Sequence, residues 1–460
     1  MDRPPSMMEP RVSVENAKVN VFVRLRPQPK ETVSKFIKTA DGKGNYLNIQ
    51  DPINKKHDGT LRETEREFYF DEVLGTETSQ EAVFEAVAKP LVDHVFEGFN
   101  ACCFAYGQTG AGKTYSTFGV LPDKGGILPR ALQYVFECVQ KQSRTRRFGV
   151  LISFLENYND QLRDLGKGFQ FSGGKSGRSS SRGEDGKSGS PAEQFERGMG
   201  LEIREGKDGN VFVQDLSNIP ITSADEAMEV VHFCEQKRAT FETMMNQHSS
   251  RSHALISIVV VQTFRNQTGE EETLTGRLNI VDLAGSERIS RSHSEGQRLK
   301  EAVMINKSLS TLGNVVMTLD GGGAGYIPYR ESKLTRTLQG SLGGNSYTSL
   351  LACLNPTPDN YEECVNTLQF ANRCRYVRNR PHVNYMDDAK SSLHDKRTRR
   401  LMGEVASLKD ALTAAHGYYR TFLEEAGLGH QELHAIEEAI KEEQLKIMKD
   451  AAEEAIKEEQ

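Results

Sequence analysis

No run of apolar residues in this 460-residue chain approaches the roughly 20 needed to span a bilayer. The longest lies within Ala254–Val261, so no transmembrane helix and no membrane insertion are expected. The first residues, MDRPPSMMEP, lack the apolar stretch of a secretory signal. Cysteine is sparse and poorly placed for cross-linking: the seven residues are odd in number, scattered and never spaced as CxxC. Neither a disulfide framework nor a zinc site follows from such spacing, and a soluble protein of a reducing compartment is expected. A large excess of one charge is missing too. Lys and Arg total 58 and Asp and Glu 64, and the imbalance lies in residues 381–460, which hold 11 basic and 17 acidic side chains against 47 of each before them. That balance argues against a nucleic-acid binder, while a local basic patch on the neutral front part could still meet an acidic partner.

What is present is an alternation. Strand-like apolar runs at Val19–Leu25, Ala101–Ala105, Val150–Leu155, Ala254–Gln262, Leu278–Val281 and Ser349–Leu354 are separated by helix-length amphipathic stretches such as Gln80–Phe96, Ala224–Ala239 and Arg298–Leu319. The pattern predicts an α/β domain with a largely buried sheet, reaching to about Arg380. Residues 166–200, rich in Gly, Ser and charge, cannot offset their ordering entropy and are expected to form a disordered surface insert. Beyond Arg380, Leu401, Val405, Leu408, Leu412, Ala415, Tyr419 and Phe422 keep the 4-3 spacing of a short coiled-coil seam, which would permit a homodimer through 401–422. Gly427 and Gly429 end that run. The acidic stretch 430–460 then repeats EEAIKEEQ at a 16-residue offset. That offset turns the second copy by about 160° on a helix, so a solvated single helix is expected.

Gly107-Gln108-Thr109-Gly110-Ala111-Gly112-Lys113-Thr114 fits GxxxxGK[ST] and follows the strand at Ala101–Ala105. Glycines in this context let backbone N–H groups surround phosphates, Lys113 reaches the β/γ oxygens, and Thr114 ligates Mg²⁺. Asp282-Leu283-Ala284-Gly285 closes a second strand; the Asp282 carboxylate can hold Mg²⁺ through water, and the Gly285 N–H can sense a γ-phosphate. Guanine specificity would call for NKxD, and Asn306-Lys307-Ser308-Leu309 ends in Leu, so adenine is favoured. A third polar element, Asn246-Gln247-His248-Ser249-Ser250-Arg251-Ser252-His253, offers hydroxyls for Mg²⁺ and the attacking water, and Arg251 could pair with Glu287. A turn whose serines cap local backbone is the alternative for this segment.

GQTGAGKT, NQHSSRSH and DLAGSE, in this order, resemble the three nucleotide-sensing loops of the kinesin motor domain. Arg24-Leu25-Arg26-Pro27 resembles the family's adenine-contacting RxRP, and Leu155-Glu156-Asn157-Tyr158-Asn159-Asp160 its LEIYNE-like strand end. Leu299–Ala302 with Ile305–Ser310 is similar to its relay helix, Pro328–Arg336 to its track-facing loop and helix, and Phe370–Arg373 to the end of its last motor helix. The chain departs from the family in Gly98–Cys103, in Asn157 where Ile is usual, and in the length of the insert.

The resemblance implies a P-loop NTPase-type motor domain over 18–373, with a central, mostly parallel β-sheet flanked by helices. Residues 1–17 would be an N-terminal cover-strand region, 374–400 a neck linker, and 401–426 a helical or coiled-coil neck. It further implies that Arg24, Arg26, Pro27 and Gly107–Thr114 bind ATP, with Mg²⁺ held by Thr114, Ser250 and, through water, Asp282. Ser249 and Ser250 would touch the γ-phosphate and lytic water, Arg251 and Glu287 would close the site as an ion pair, and Gly285 would report the γ-phosphate. Lys300, Lys307, Arg330, Lys333 and Arg336 would meet the acidic surface of tubulin. A microtubule-stimulated ATPase of the cytoplasm and cytoskeleton, moving toward the plus end, is the resulting expectation, with nothing in the residues to single out cilium or spindle. An ATP-driven depolymerase of microtubule ends, a tether without activity and an unrelated P-loop switch are the competing readings.

Overall fold

The computed structural model describes residues 14, 16–28, 37–39, 44–50, 65–120, 124–171, 200–206, 209–244, 251–266, 269–287, 297–322 and 325–386, without the side chains of 242–244 and 297–305. The expected coiled-coil and acidic helix at 401–426 and 430–460, and residues 172–199 of the insert, lie outside the described residues.

Nine strands form the main sheet: β1 Asn20–Leu25, β2 Glu72–Leu74, β3 Ala101–Tyr106, β4 Arg147–Tyr158, β5 Gln161–Asp164, β6 Ile219–Ile221, β7 Ser252–Arg265, β8 Glu271–Asp282 and β9 Tyr347–Leu354. Their order is β5-β4-β7-β8-β3-β9-β1-β2, with β6 beside β4. The helices are α1 Gln80–Val87, α2 Lys89–Phe96, α3 Lys113–Thr117, α4 Ile127–Gln142, α5 Ala224–Met244, α6 Gln297–Asp320, α7 Lys333–Thr337 and α8 Tyr361–Cys374.

The sheet is mixed where a mostly parallel one was expected. From β8 to β2 every pairing is parallel, whereas β4, β5, β6 and β7 pair antiparallel, as does β7 with β8. Local turns cause the change. Asn159 and Asp160 both have positive φ, 50° and 57°, which a tight β4–β5 hairpin needs. A short turn through Gly269 joins β7 to β8. Helix-length crossovers elsewhere make neighbours parallel.

Period-two alternation assigns the faces. Cys103 of β3 points into a core with α1, α2, α4 and α5, through Val83, Leu91, Leu132 and Val230. Cys102 and Phe104 point the other way, into a core with Leu312 of α6, Leu334 of α7 and Leu368 of α8. The stretch expected as one helix, Gln80–Phe96, is two. Ser79 caps α1 by accepting the Ala82 N–H at 3.1 Å, and Pro90 stands in the first turn of α2, where its missing N–H is tolerated but a continuous helix is not.

After α8 the chain turns back along the sheet. Arg378–Asn379 pairs antiparallel with Ala17–Lys18, and Val14 N donates to Pro381 O at 2.9 Å. The β8–β3 ladder begins only at Leu278, leaving the first part of β8 open on that side. Residues 384–386 fill it: Thr275 N donates to Asn384 O and Met386 N to Thr273 O, each at 2.9 Å. Val383 is buried with Phe99 and Leu274.

Candidate active site

Parallel strands end on one side, and in open α/β sheets ligand sites form beyond those carboxyl ends. Here the loops after β1, β3 and β8 leave from the same edge. Because β7 runs antiparallel, its start joins them, with Ala254 opposite Asp282. Arg26, the 107–112 loop, the 283–287 segment and Arg251 are thereby gathered from distant parts of the sequence.

Two glycines of the 107–112 loop have definite reasons. Gly107 has φ 146°, and a Cβ there would fall 2.3 Å from the Cys353 carbonyl oxygen. Gly112 has φ 97° as the N-cap of α3, and a Cβ would meet nothing within 4 Å, so the space beside it is open. Lys113 is buried, its Nζ donating to the carbonyl oxygens of Gly107 at 2.8 Å and Gln108 at 2.9 Å. Burial draws its ammonium below the ordinary value, against the pull of Asp282 and Glu287.

Thr114 Oγ1 donates to Asp282 Oδ2 at 2.7 Å, and Asp282 Oδ1 is buried with no hydrogen-bond partner among the described residues. A hydroxyl and a carboxylate with a spare buried oxygen are the hard donors Mg²⁺ takes when phosphates supply the rest of its shell. The residues present therefore fit both the metal and a phosphate ligand.

Gly285 is packed hard: a Cβ on it would come 2.2 Å from both Glu287 Oε2 and Thr109 Oγ1. The Glu287 carboxylate accepts from Thr109 N at 2.8 Å and from Thr109 Oγ1 at 2.6 Å. The described contacts of Glu287 thus tie the 282–287 segment to the phosphate loop, where the sequence pointed to Arg251. Arg251 stands half-buried at the start of β7, and Ser249 and Ser250 lie outside the described residues.

Beneath this edge is a buried network. Glu156 has Oε2 3.4 Å from Arg163 Nη1 and Oε1 3.6 Å from Arg238 Nε, and Arg238 Nη2 donates to Ser252 Oγ at 3.0 Å. His253 accepts the Ala284 N–H on Nδ1 at 3.0 Å, and its Nε2 stands 3.0 Å from Ser308 Oγ on α6.

Arg24 and Arg26 part company. Arg26 Nη1 donates to Gly110 O at the exposed rim, beside Pro27. The Arg24 guanidinium is instead buried, donating to Gln80 Oε1 at 2.7 Å and Ser116 Oγ at 2.8 Å. It also packs 5.4 Å from the centroid of Tyr115, which stays 37% exposed. Arg24 therefore props an aromatic face next to the loop, a role that RxRP spacing does not reveal.

Of the expected track contacts, α6 packs against Tyr329–Glu331 and α7, which places Lys307, Arg330, Lys333 and Arg336 on neighbouring elements; the Lys300 side chain lies outside the description. Lys307 and Arg330 are exposed. Arg330 Nη2 is 3.2 Å from Glu205 Oε2, and Arg336 bonds the same oxygen, which holds the Glu205 carboxyl below its usual range. Glu205 was not a sequence candidate, since its hairpin, Ile203–Glu205 with Val211–Val213, is joined to these cations only in three dimensions.

Comparison with known proteins follows the same lines. The family description "Kinesin motor domain" matches residues 24–377. Kinesin-like protein klp-20 of Caenorhabditis elegans is 37% identical over 400 residues, 86% of this chain and 55% of its own length. KIF14 of Mus musculus is 37% identical over 87% of this chain and 23% of its own. KIF3C of Bos taurus is 35% identical over 86% of this chain and 48% of its own, so the chain spans about half or less of these relatives. Among solved structures, a fast kinesin superposes with TM-score 0.66 at 32% identity, covering 83% of this chain and 98% of that one. A KIF14 dimer with AMP-PNP in complex with a microtubule gives TM-score 0.66 at 36% identity, covering 80% and 96%. With the motor-domain description spanning 24–377 and the fold shared at this identity, the chain belongs to the kinesin family.

Proposed function

We propose that the chain is a microtubule-stimulated ATPase that moves along microtubules, with three sensing elements reading the terminal phosphate and α6 carrying the reading to the track face. The observation that carries this is the meeting of Thr114 with Asp282 and of Thr109 with Glu287 at one sheet edge. The microtubule-bound KIF14 relative supports the choice of track. Thr114, Ser250 and, through water, Asp282 would hold Mg²⁺, which would supply neutralisation of phosphate charge.

The chain's own part is positional. Lys113, whose Nζ rests on two loop carbonyls, is the cation available to phosphate oxygens at this edge. Thr114 and Asp282 hold each other in register for a hard cation. Ser249 and Ser250 are assigned to the γ-phosphate and lytic water, Gly285 to sensing, and Arg251 to an ion pair with Glu287. Loops ordered by a terminal phosphate and released on its loss are a familiar form of two-state switch. Lys300, Lys307, Arg330, Lys333 and Arg336 would receive the acidic track. The segment after Arg373, about Cys374–Tyr385, is read as the force-bearing neck linker, plus-end movement as its direction, and residues 401–422 as a dimer seam. Cytoplasmic microtubules are the place such a motor works.

Two measurements test this. Polymerised tubulin should accelerate phosphate release, and Gly285→Ala, whose methyl displaces Glu287, should abolish the acceleration while nucleotide still binds. Gliding on polarity-marked microtubules should give plus-end motion, whereas shortening filaments would instead favour the depolymerase. No turnover on saturating microtubules would refute the motor.

A further inference from the structure

His253 is 3% exposed and stands two residues beyond Arg251, where the serine-rich sensing loop enters β7. Its two ring nitrogens serve two other elements. Nδ1 takes the N–H of Ala284, the residue before Gly285, at 3.0 Å. Nε2 faces Ser308 Oγ, one residue after the exposed Lys307 of α6, at 3.0 Å. A nitrogen that accepts an amide hydrogen carries no proton, so the ring is the neutral tautomer with its hydrogen on Nε2, donating to Ser308. Burial beside Arg238 and Lys113 takes the imidazole down to about 3, so this tautomer persists at physiological pH.

Rigidity follows from this bonding. An imidazole has two side-chain torsions, and bonds on opposite sides of the ring fix both. Ala284 cannot shift far by itself, since Gly285 is wedged against Thr109 and Glu287. Asp282, two residues before it, is paired in register with Ala254, the residue after His253. A displacement of the 283–287 segment therefore bears on the ring, and through it on the turn of α6 that carries Lys307.

We propose that His253 is a positioning residue that couples the γ-phosphate-sensing segment at Ala284–Gly285 to the track-facing helix through Ser308. This rests on the microtubule-motor reading above. A satisfied core histidine would make the same bonds and matter only for folding, so the test must separate coupling from stability.

Asn at 253 puts an amide oxygen where Nδ1 stands and keeps the Ala284 bond, but cannot reach Ser308. Ser308→Ala removes the other end and is near-isosteric. Basal and microtubule-stimulated ATPase should be measured for wild type, His253→Asn, Ser308→Ala and the double variant, with thermal midpoints alongside. Expected is a loss of about tenfold in stimulated kcat in each single variant, the size usual for linked sites. Basal kcat should stay within about twofold, and the double variant should be no worse than the worse single, as two ends of one strut require. Three results overturn the proposal: basal and stimulated rates falling in proportion, losses that multiply in the double variant, or full stimulation in Ser308→Ala. Should His253→Asn fail to fold, Ser308→Ala alone decides by its stimulated-to-basal ratio. Absence of stimulation in the wild type would instead sink the motor reading, and the coupling with it.

Discussion

Asn384 holds Gly98 by two bonds: its backbone N and its Nδ2 both donate to the Gly98 carbonyl oxygen, each at 2.9 Å. Gly98 has φ 88°, and a Cβ there would meet Val383 Cγ1 at 3.0 Å. The positive φ and the close passage of residues 383–384 both favour glycine at this position.

Asn384→Ala removes two side-chain bonds, the one to Gly98 and the one its Oδ1 accepts from Asn345 Nδ2 at 2.9 Å, and leaves the backbone bonds to Gly98 and Thr275. Two net hydrogen bonds contribute about 1–3 kcal/mol together, so the docked population should fall about five- to hundredfold. Amide exchange at Thr275, Asn384 and Met386 should quicken by that factor while exchange in β3 is unchanged. Equal exchange in variant and wild type would remove Asn384 from the docking interaction.

Glu205→Gln should tighten binding to microtubules. The carboxylate holds both Arg330 and Arg336, and neutralising it frees two cations for an acidic partner. Because the group is exposed and screened by solvent, the gain should be modest, about two- to threefold at low salt and fading at high salt. Cosedimentation across a salt series checks this; weaker binding would instead mean that Glu205 chiefly braces the hairpin on α7.

His253 gives stability a pH dependence of definite sign. Its proton affinity falls from an ordinary 6.5 to about 3 on folding, so between those values the unfolded chain binds more protons. The stabilisation is complete above about pH 6.5 and is lost as pH falls toward about 3. Denaturant midpoints should drop between about pH 7 and pH 5, and less steeply in His253→Asn.

All seven cysteines are buried. Burial pushes Cys102, Cys234 and Cys364 up to about 12 and Cys353 to about 11, with Cys103, Cys138 and Cys374 also raised. Thiolate is the reactive form, so a disulfide reagent at pH 8 should label the native chain slowly and all seven sites rapidly in denaturant. Rapid labelling of the native chain would contradict the packing described for β3 and β9.

The phosphate loop and Asp282 were legible because strand, turn and helix signals lie within a few residues of each other, where local spacing fixes geometry. The six major strands were legible for a similar reason, as continuous apolar runs, though β4 extends beyond its apolar part to Glu156 and Asn157. Glu156 is buried because Arg163 and Arg238 meet it, and Arg238 lies 82 positions away, a pairing that periodicity does not encode. The surroundings of Arg24 were hidden for the same reason: RxRP spacing points to a ligand and says nothing of Gln80 and Ser116, which hold the guanidinium inside the fold. Glu205 lacked any local sign of its partners, Asn384 of Gly98, and His253 had a motif but no stated role. The split of Gln80–Phe96 was signalled by Pro90 within a periodic stretch.

Load transmission is set by the way the returning segment lies on β8. A pull on the chain beyond Met386, directed along the strand, strains the Thr273, Thr275 and Gly98 bonds together in shear, whereas a pull away from the sheet peels them off one after another. The attachment should thus resist tension far better along one axis than across it. The nine residues from Leu274 to Asp282 span about 26 Å, so the returning segment and the phosphate-loop edge lie at opposite ends of one stiff strand.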